Sequence, residues 1–523
     1  MLLLLPRLAV PTAAAGGPVA RRNGRPALFV AVLGSPRLQP GPIAGPRPPA
    51  MHFHSLDYLA FLALAVCGYW LLVRHNVLRL ALVFVASCVF YMAWNPAYIV
   101  LILGSTVLDY TVGLRIAASS SQPVRRAWLL ASLVGNLGLL GVFKYYNFFA
   151  SATADVAALF GLQIVPAHLD VLLPVGISFY TFQTLSYTID VYRGRLEPTR
   201  NFLRFASFVT FFPQLVAGPI VRASELLPQL ARRPVLGRHA VGDAAFLIAT
   251  GLIKKIVFAD YLAVNLVDRV FETPSAYSSA EVMLALYGYT LQIYCDFSGY
   301  TDVARGSAKL FGLELPENFD RPYQATSPAE FWRRWHMTLS TWLRDYLYFP
   351  LGGSRVGPVR AYFNLFLTMF LIGLWHGADW TFVIYGLLQA AAMLIHRFFY
   401  RRSGRTAAKV DGPALHVLKV VGTLHFAVLS RVFFRGTSVD NALEVSGRLL
   451  AGSTSIGHVP AAVLWLLLLG FAAHYTPRGW FEEARRGFVQ LPAPVQGAVL
   501  AGVGSVLMLL ATQDVVPYIY FQF

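Results

Sequence analysis

Charge is scarce in this 523-residue chain. Asp, Glu, Lys and Arg together make up 13% of it, where an ordinary soluble domain carries about 25%. Acids are scarcer than bases, 26 against 43, which leaves a formal net charge of +17. Apolar residues reach 56% and the mean hydropathy is +0.55. A soluble fold of this length needs far more polar surface to cover its core. A soluble enzyme and a disordered chain are therefore both excluded. Cysteine is scarcer still: Cys67, Cys88 and Cys295 stand apart in apolar sequence, with no CxxC and no Cys/His ligand spacing. That excludes a disulfide scaffold and a zinc site, and no metal centre is expected. Each cysteine reads as a small buried apolar residue. Walker A, GxGxxG, GxSxG and HExxH are absent too, so phosphate-driven transport by this chain alone is disfavoured.

What is present is a series of apolar runs. A membrane helix takes about 20 mainly apolar residues. Such runs lie near 56–73, 77–94, 97–114, 126–143, 171–189, 203–221, 244–268 and 281–298. After a gap they resume near 361–377, 380–396, 414–430, 460–475 and 495–513. The chain thus reads as an all-α polytopic membrane protein with about 11–13 transmembrane or re-entrant helices. Basic loops recur from Arg193 to Arg204, from Arg222 to Arg238 and from Arg397 to Lys409. They follow the positive-inside rule, and the last, the densest, reads as cytoplasmic. The positive excess is accordingly a membrane-orientation signal, and no nucleic-acid partner is expected.

Residues 1–50 differ from the rest. They hold six Arg, ten Pro and no Asp or Glu. Their short apolar start precedes the charges, the reverse of a secretory signal, and frequent Pro forbids a stable helix. Residues 1–50 read as an Arg/Pro-rich extension, disordered or a misassigned start. Residues 51–523 then form the membrane domain, beginning at Met51.

The gap between the runs, 299–360, is polar by this chain's standards but dense in aromatics. Phe331, Trp335, Leu339, Trp342 and Tyr346 recur at spacings of four, four, three and four, one face of a helix. Glu330, Arg333, Arg334, Arg344 and Asp345 occupy much of the remainder. Ser327 as N-cap, Pro328 at the first helical position and Glu330 two later mark its start. Such a helix is expected to lie in the membrane interface or along a wet cavity.

Two of the twelve histidines stand apart. Apart from two tyrosines, His376 and Asp379 are the only ionisable groups between residues 361 and 395. A single helix over that stretch would be about 50 Å long, so it must break, and Gly373, Gly377 and the polar pair mark the place. An ionisable group between apolar runs is costly and functional by default. The competing reading is a hydrogen-bonded structural histidine in a helix-connecting turn. His336 sits one residue off the aromatic stripe, where an interfacial anchor is the competing reading. A third cluster, Gln292 to Asp302, places Asp296 and Ser298 at the end of an apolar run. Asp296 is a candidate to orient an imidazole or bind a donor headgroup; the alternative pairs Asp296 and Asp302 with Arg305 or Lys309. Pro174 to Gln183 and Phe211 to Pro219 read as packing elements or pore walls.

These stretches resemble the membrane-bound O-acyltransferase family, specifically its bacterial alginate O-acetyltransferase branch. The matching residues are Ser178 to Tyr187 with Ile189 to Gly194, Phe211 to Arg222, Leu291 to Asp302, Leu315 to Asp320, Glu330 to His336, Arg344 to Tyr348 with Pro350 to Gly353, Gly373 to Ala378, and the closing Tyr518 to Phe523. Cys295 and Tyr385 depart from the usual pattern, where an aromatic and Trp are common. The resemblance covers about 51–523. It implies a funnel-shaped helical core with interfacial helices in the bacterial inner membrane. It also implies transfer of an acetyl group from a cytoplasmic donor such as acetyl-CoA, with no bound cofactor. The acceptor is a hydroxyl of an alginate-like exopolysaccharide, reached with periplasmic partners. His376 matches the family's catalytic histidine, and general base is the role that follows. His336 matches the second histidine. Asp296, Ser298, Arg333, Arg334, Arg344 and Trp375 are candidates for binding the donor or lining the tunnel, the arginines toward phosphates. Two other classes stay open: a transporter or flippase, and a scaffold of a polysaccharide synthesis complex.

Overall fold

The computed structural model describes residues 51–237, 239–402, 412–511 and 517–519. All regular structure among them is helical, as the apolar runs imply. The expectation for residues 1–50 lies outside the described residues. So do 403–411 of the third basic loop and most of the closing aromatic motif.

Helices α1 (Leu56–Leu71), α2 (Asn76–Met92) and α3 (Ile99–Ala118) open the fold. Then α4 (Gln122–Leu140) continues through a π-type turn (Gly141–Tyr145) into α5 (Tyr146–Leu159). Next come α6 (Ile177–Tyr192), α7 (Phe202–Thr210), α8 (Phe212–Leu215), α9 (Ala223–Ala231) and α10 (Ala240–Ile253). A wide π-type stretch (Lys254–Asp260) leads to α11 (Asp268–Glu272) and the long α12 (Ser279–Leu310). After α13 (Pro328–Arg334) and α14 (Met337–Leu343) follow α15 (Pro358–His376), α16 (Trp380–Arg402) and α17 (Pro413–Arg435). The fold closes with α18 (Val439–Leu449), α19 (Ala461–Tyr475), α20 (Arg478–Gln490) and α21 (Ala493–Leu510).

Six helices among the described residues are long and apolar enough to cross a membrane: Pro96–Ala118, Gln122–Leu159, Pro358–His376, Trp380–Arg402, Pro413–Arg435 and Ala493–Leu510. Three shorter apolar helices, α1, α2 and α19, join them. Leu64, Leu71, Trp465, Leu468, Met508 and Leu509 stand exposed on these helices. Such a surface is costly in water and is what lipid covers. The protein is a multi-pass membrane protein.

The core gathers around α12. Its start is fixed by a reciprocal cap: Ser278 Oγ accepts the Glu281 N–H at 3.1 Å, and Glu281 Oε2 accepts the Ser278 N–H at 2.8 Å. Its middle, from Leu291 to Thr301, is buried apart from Tyr294. A helix buried on nearly every side needs other helices around it, and α10, α17 and α19 pack there.

Three expectations are corrected. Of the cysteines only Cys295 is buried; Cys67 is exposed and Cys88 half-buried. The apolar run 203–221 does not form one membrane-length helix. It breaks at Phe211 into α7 and α8, because Pro213 follows and proline is accommodated best in the first turn of a helix. The aromatic stripe of 330–346 does not lie on one helix either. α13 ends at Arg334, α14 starts at Met337, and the π-type turn Arg344–Tyr348 follows. All five stripe residues are buried in the protein core rather than laid on its rim. The start of α13 is as expected: Ser327 Oγ accepts the Glu330 N–H at 3.2 Å, with Pro328 next to the cap.

Candidate functional site

His376 is the last residue of α15. The expected break follows at once, and Asp379 Oδ1 accepts the Thr381 N–H at 2.9 Å to start α16. The two helices turn back on each other where glycine meets glycine. A Cβ at Gly373 would lie 2.4 Å from Gly386 Cα, so nothing larger fits the crossing. This close hairpin leaves His376 only 3% exposed. Its ring lies 5.1 Å from Trp375, 5.0 Å from Phe434 and 6.2 Å from Tyr385, centroid to centroid.

His336 sits in the joint between α13 and α14, with φ 41°. That left-handed conformation is disfavoured for a side chain with a Cβ, though histidine tolerates it better than most. Local hydrogen bonds hold it: Met337 N donates to Asn318 O at 2.9 Å and Ser340 N to His336 O at 3.0 Å. The His336 side chain is fully buried, which replaces the reading of an interfacial anchor. Its ring lies 4.7 Å from Phe297, 6.2 Å from Phe179 and 5.7 Å from Trp375. One indole, Trp375, therefore touches both histidines, which are forty residues apart in the chain.

Lys144, which no sequence motif singles out, belongs to the same cluster. It projects from the π-type turn after α4. Its Nζ donates to Trp375 O at 2.5 Å and His376 O at 3.3 Å, and Tyr145 Oη donates to Leu374 O at 3.0 Å. The last carbonyls of a helix lack intrahelical partners and carry its negative end. Lys144 and Tyr145 supply those partners to α15. The only sequence signal for Lys144 is a lone cation near the end of an apolar run. A small cavity of about 30 Å³ opens here, lined by Lys144, Pro174, Gly176, Ser178, Trp375 and His376 among others. It has room for about two water-sized groups. Gly176, at φ 76°, brings the start of α6 against Leu215 O, where a Cβ would lie 2.6 Å away. The stretch from Pro174 is thus a wall of the site.

Other candidates are placed differently. Both Asp296 oxygens are engaged, one by Lys255 Nζ at 2.8 Å and one by Ile519 N at 2.8 Å. Asp302 pairs with Lys254 at 2.6 Å. The expected partners Arg305 and Lys309 take Glu317 and Glu314 instead. Wide π-type turns cannot be read from apolar periodicity, and the one at Lys254–Asp260 is what aims both lysines at α12. Asp296 does not orient an imidazole here. Ser298 is buried with its Oγ unbonded among the described residues. It is Phe297, between them, that faces His336.

The three candidate arginines lie away from the histidine pair. Arg333 is exposed. Arg334 pairs with Glu330 at 2.7 Å. Arg344 pairs with Asp345 at 2.7 Å, as does Arg222. Arg193 donates to Asp345 O at 3.1 Å and Arg397 to Tyr348 Oη at 3.1 Å. The starts of all three basic loops thus converge on one turn, Arg344–Tyr348. Burial pushes the Asp345 carboxyl up, but hydrogen bonds from Arg344 and Arg222 outweigh it and hold the group below the usual range.

The chemistry of this arrangement is that of two buried imidazoles against one indole, with His376, Trp375 and the Lys144 amine lining a small cavity. It offers a proton acceptor in a water-poor site. The sequence profile of the membrane-bound O-acyltransferases matches residues 197–438, a range that contains both histidines. The chain is 41% identical over 382 residues to the probable alginate O-acetylase AlgI of Pseudomonas aeruginosa, covering 72% of this chain and 70% of that protein. It is 36% identical to the AlgI of Pseudomonas putida, covering 85% of this chain and 94% of that one. The chain belongs to the membrane-bound O-acyltransferase family. A peptidoglycan O-acetyltransferase of Helicobacter pylori is 37% identical over 75% of this chain and 78% of its own length. As a membrane O-acyltransferase, the protein is an enzyme rather than a transporter or a scaffold.

Proposed function

We propose that this O-acyltransferase moves an acetyl group from a cytoplasmic thioester, acetyl-CoA, to hydroxyls of an extracytoplasmic polysaccharide of the alginate kind. It works in the bacterial inner membrane, with periplasmic partners that take the acetyl group onward. The names of its relatives support the acyl group and the acceptor class. The convergence of basic loops on Arg344–Tyr348 supports a cytoplasmic end there, where Arg344 is offered to donor phosphates; Arg333 and Arg334 are the other arginines assigned to the donor. The single observation that carries the reading is the pairing of buried His336 and His376 across Trp375.

In the reaction, the acceptor O–H gives its proton to the His376 imidazole. The oxygen attacks the acetyl carbonyl carbon, the C–S bond breaks, and the thiolate departs with the proton that His376 returns. Both imidazoles are buried, so few waters compete for the proton. Lys144 holds the α15 terminus, and with it the His376 backbone, in place. His336 and Trp375 line the approach. The experiment is to supply acetyl-labelled acetyl-CoA to inside-out vesicles containing this chain and its partners. Label moving to polysaccharide or to a partner supports the reading. Label remaining on CoA, with the chain intact in the vesicles, overturns it.

A further inference from the structure

The first turn of α6 borders the same small cavity as His376, through Gly176, Ile177 and Ser178. The N–H groups of a first turn have no partners inside their helix and carry its positive end. Most of those in α6 are satisfied from outside or from the cap. Ile177 N donates to Pro174 O at 3.2 Å, and Phe179 N and Tyr180 N donate to Gly176 O at 2.9 and 3.0 Å. Ser178 N differs: among the described residues no group accepts from it. The cap residue, Gly176, has no side chain that could do so. Buried backbone N–H groups without an acceptor are rare.

The Ser178 side chain repeats the pattern. It is 7% exposed and lines the cavity, and among the described residues its hydroxyl makes no hydrogen bond. A hydroxyl taken from water without a partner costs free energy. Lys144 borders the same space, and its Nζ already serves Trp375 O and His376 O. A protonated lysine has three N–H donors, so one is left over. No carboxylate lines the cavity to take up these donors. The negative end of α15 is thus satisfied by Lys144, while the positive end of α6 is left open toward the same cavity.

We propose that Ser178 is the oxyanion donor of this site, its N–H and its hydroxyl both receiving the acetyl carbonyl oxygen, which rests on the acetyl-transfer reading above. The cavity has room for about two water-sized groups, which suits the carbonyl oxygen and the methyl of an acetyl group. When the acceptor oxygen adds to the carbonyl carbon, the π electron pair moves onto the carbonyl oxygen. That oxygen becomes negative beside donors already in place, which stabilises it without reorganisation. The α6 terminus and Lys144 add positive charge, and the developing anion favours the protonated lysine. As the C–S bond breaks, the pair returns to the carbonyl and the thiolate takes the proton that His376 holds. His376 lines the same cavity, so base and carbonyl meet there.

The test uses the full chain in lipid nanodiscs with acetyl-CoA isotopically labelled at the carbonyl carbon and no acceptor. Infrared difference spectra then read the carbonyl stretch of the bound thioester. The expected result is a lower frequency on the wild type than in free acetyl-CoA. Ser178→Ala loses much of that shift, and Ser178→Thr, which keeps a hydroxyl, retains more of it. With acceptor and partners added, Ser178→Ala is expected to lower kcat about a hundredfold, the low end for loss of one oxyanion donor, with little change in donor KM. A purely structural serine would leave the carbonyl frequency where it is. An unshifted carbonyl on the wild type overturns the site whether or not the variants fold. So does a full shift, or a wild-type kcat, in folded Ser178→Ala. A Ser178-dependent shift without transfer to any acceptor leaves the carbonyl site standing and removes the acetyl-transfer reading. Transfer by the wild type with an unshifted carbonyl does the opposite.

Discussion

Asn318 Oδ1 accepts the Nδ1 proton of His336 across 3.2 Å. The same oxygen accepts from Thr338 Oγ1 at 2.7 Å and from the Thr338 N–H at 3.3 Å. A backbone N–H only donates, so the Asn318 atom at this place is its carbonyl oxygen. Nδ1 of His336 then carries the proton, and Nε2 presents a lone pair. Asn318 thereby fixes both tautomer and orientation. Replacing Asn318 by Ala removes that hydrogen bond and is expected to lower the acetylation rate about tenfold, the worth of roughly one such bond. His336→Ala is expected to lose at least as much. Rates are compared in membranes with matched protein levels. A wild-type rate in His336→Ala would return His336 to a packing role.

Lys144 ties the α4 turn to the end of α15 through the Trp375 and His376 carbonyls. Hydrogen bonds of this kind contribute about 0.5–1.5 kcal/mol each. Lys144→Met is therefore expected to lower the thermal midpoint and to lower the rate more than it raises the donor KM. Lys144→Arg, which keeps the donors, recovers part of the rate. Thermal unfolding and initial rates together check this. An unchanged rate in Lys144→Met would show that the α15 end needs no such tie.

Burial pushes the His336 imidazole from its usual 6.5 down to about 3. The unfolded chain takes up this proton below about pH 6.5, whereas the folded protein resists until about pH 3. The stability contribution is thus complete above pH 6.5 and is lost as pH falls from there toward 3. His336→Gln has no proton to take up at that position. Its loss of thermal midpoint between pH 7 and pH 5 is expected to be smaller than the wild-type loss. Equal losses in the two proteins would contradict the assignment.

The sequence carried the helices further than it carried their partners. The apolar runs located every membrane-length helix among the described residues, because lipid imposes a length that composition reveals. The break at Gly377 was legible because 361–395 is too long for one helix to remain in a bilayer core. The break at His336 was not: a single left-handed residue leaves the spacing of Phe331, Trp335 and Leu339 intact. Lys144 and Asn318 were missed for a related reason. The meaning of each comes from an element distant in the chain. His336 and His376 were found, but only the fold brings both against Trp375.

The central claim is that His376 removes the acceptor proton. The most direct measurement is acetyl transfer from labelled acetyl-CoA in vesicles carrying wild type or His376→Ala, with folding checked by thermal unfolding of the same preparations. The account predicts a folded His376→Ala protein with transfer at or near background, a loss of at least a hundredfold, the low end for a general base. Substantial transfer by the folded variant would contradict it.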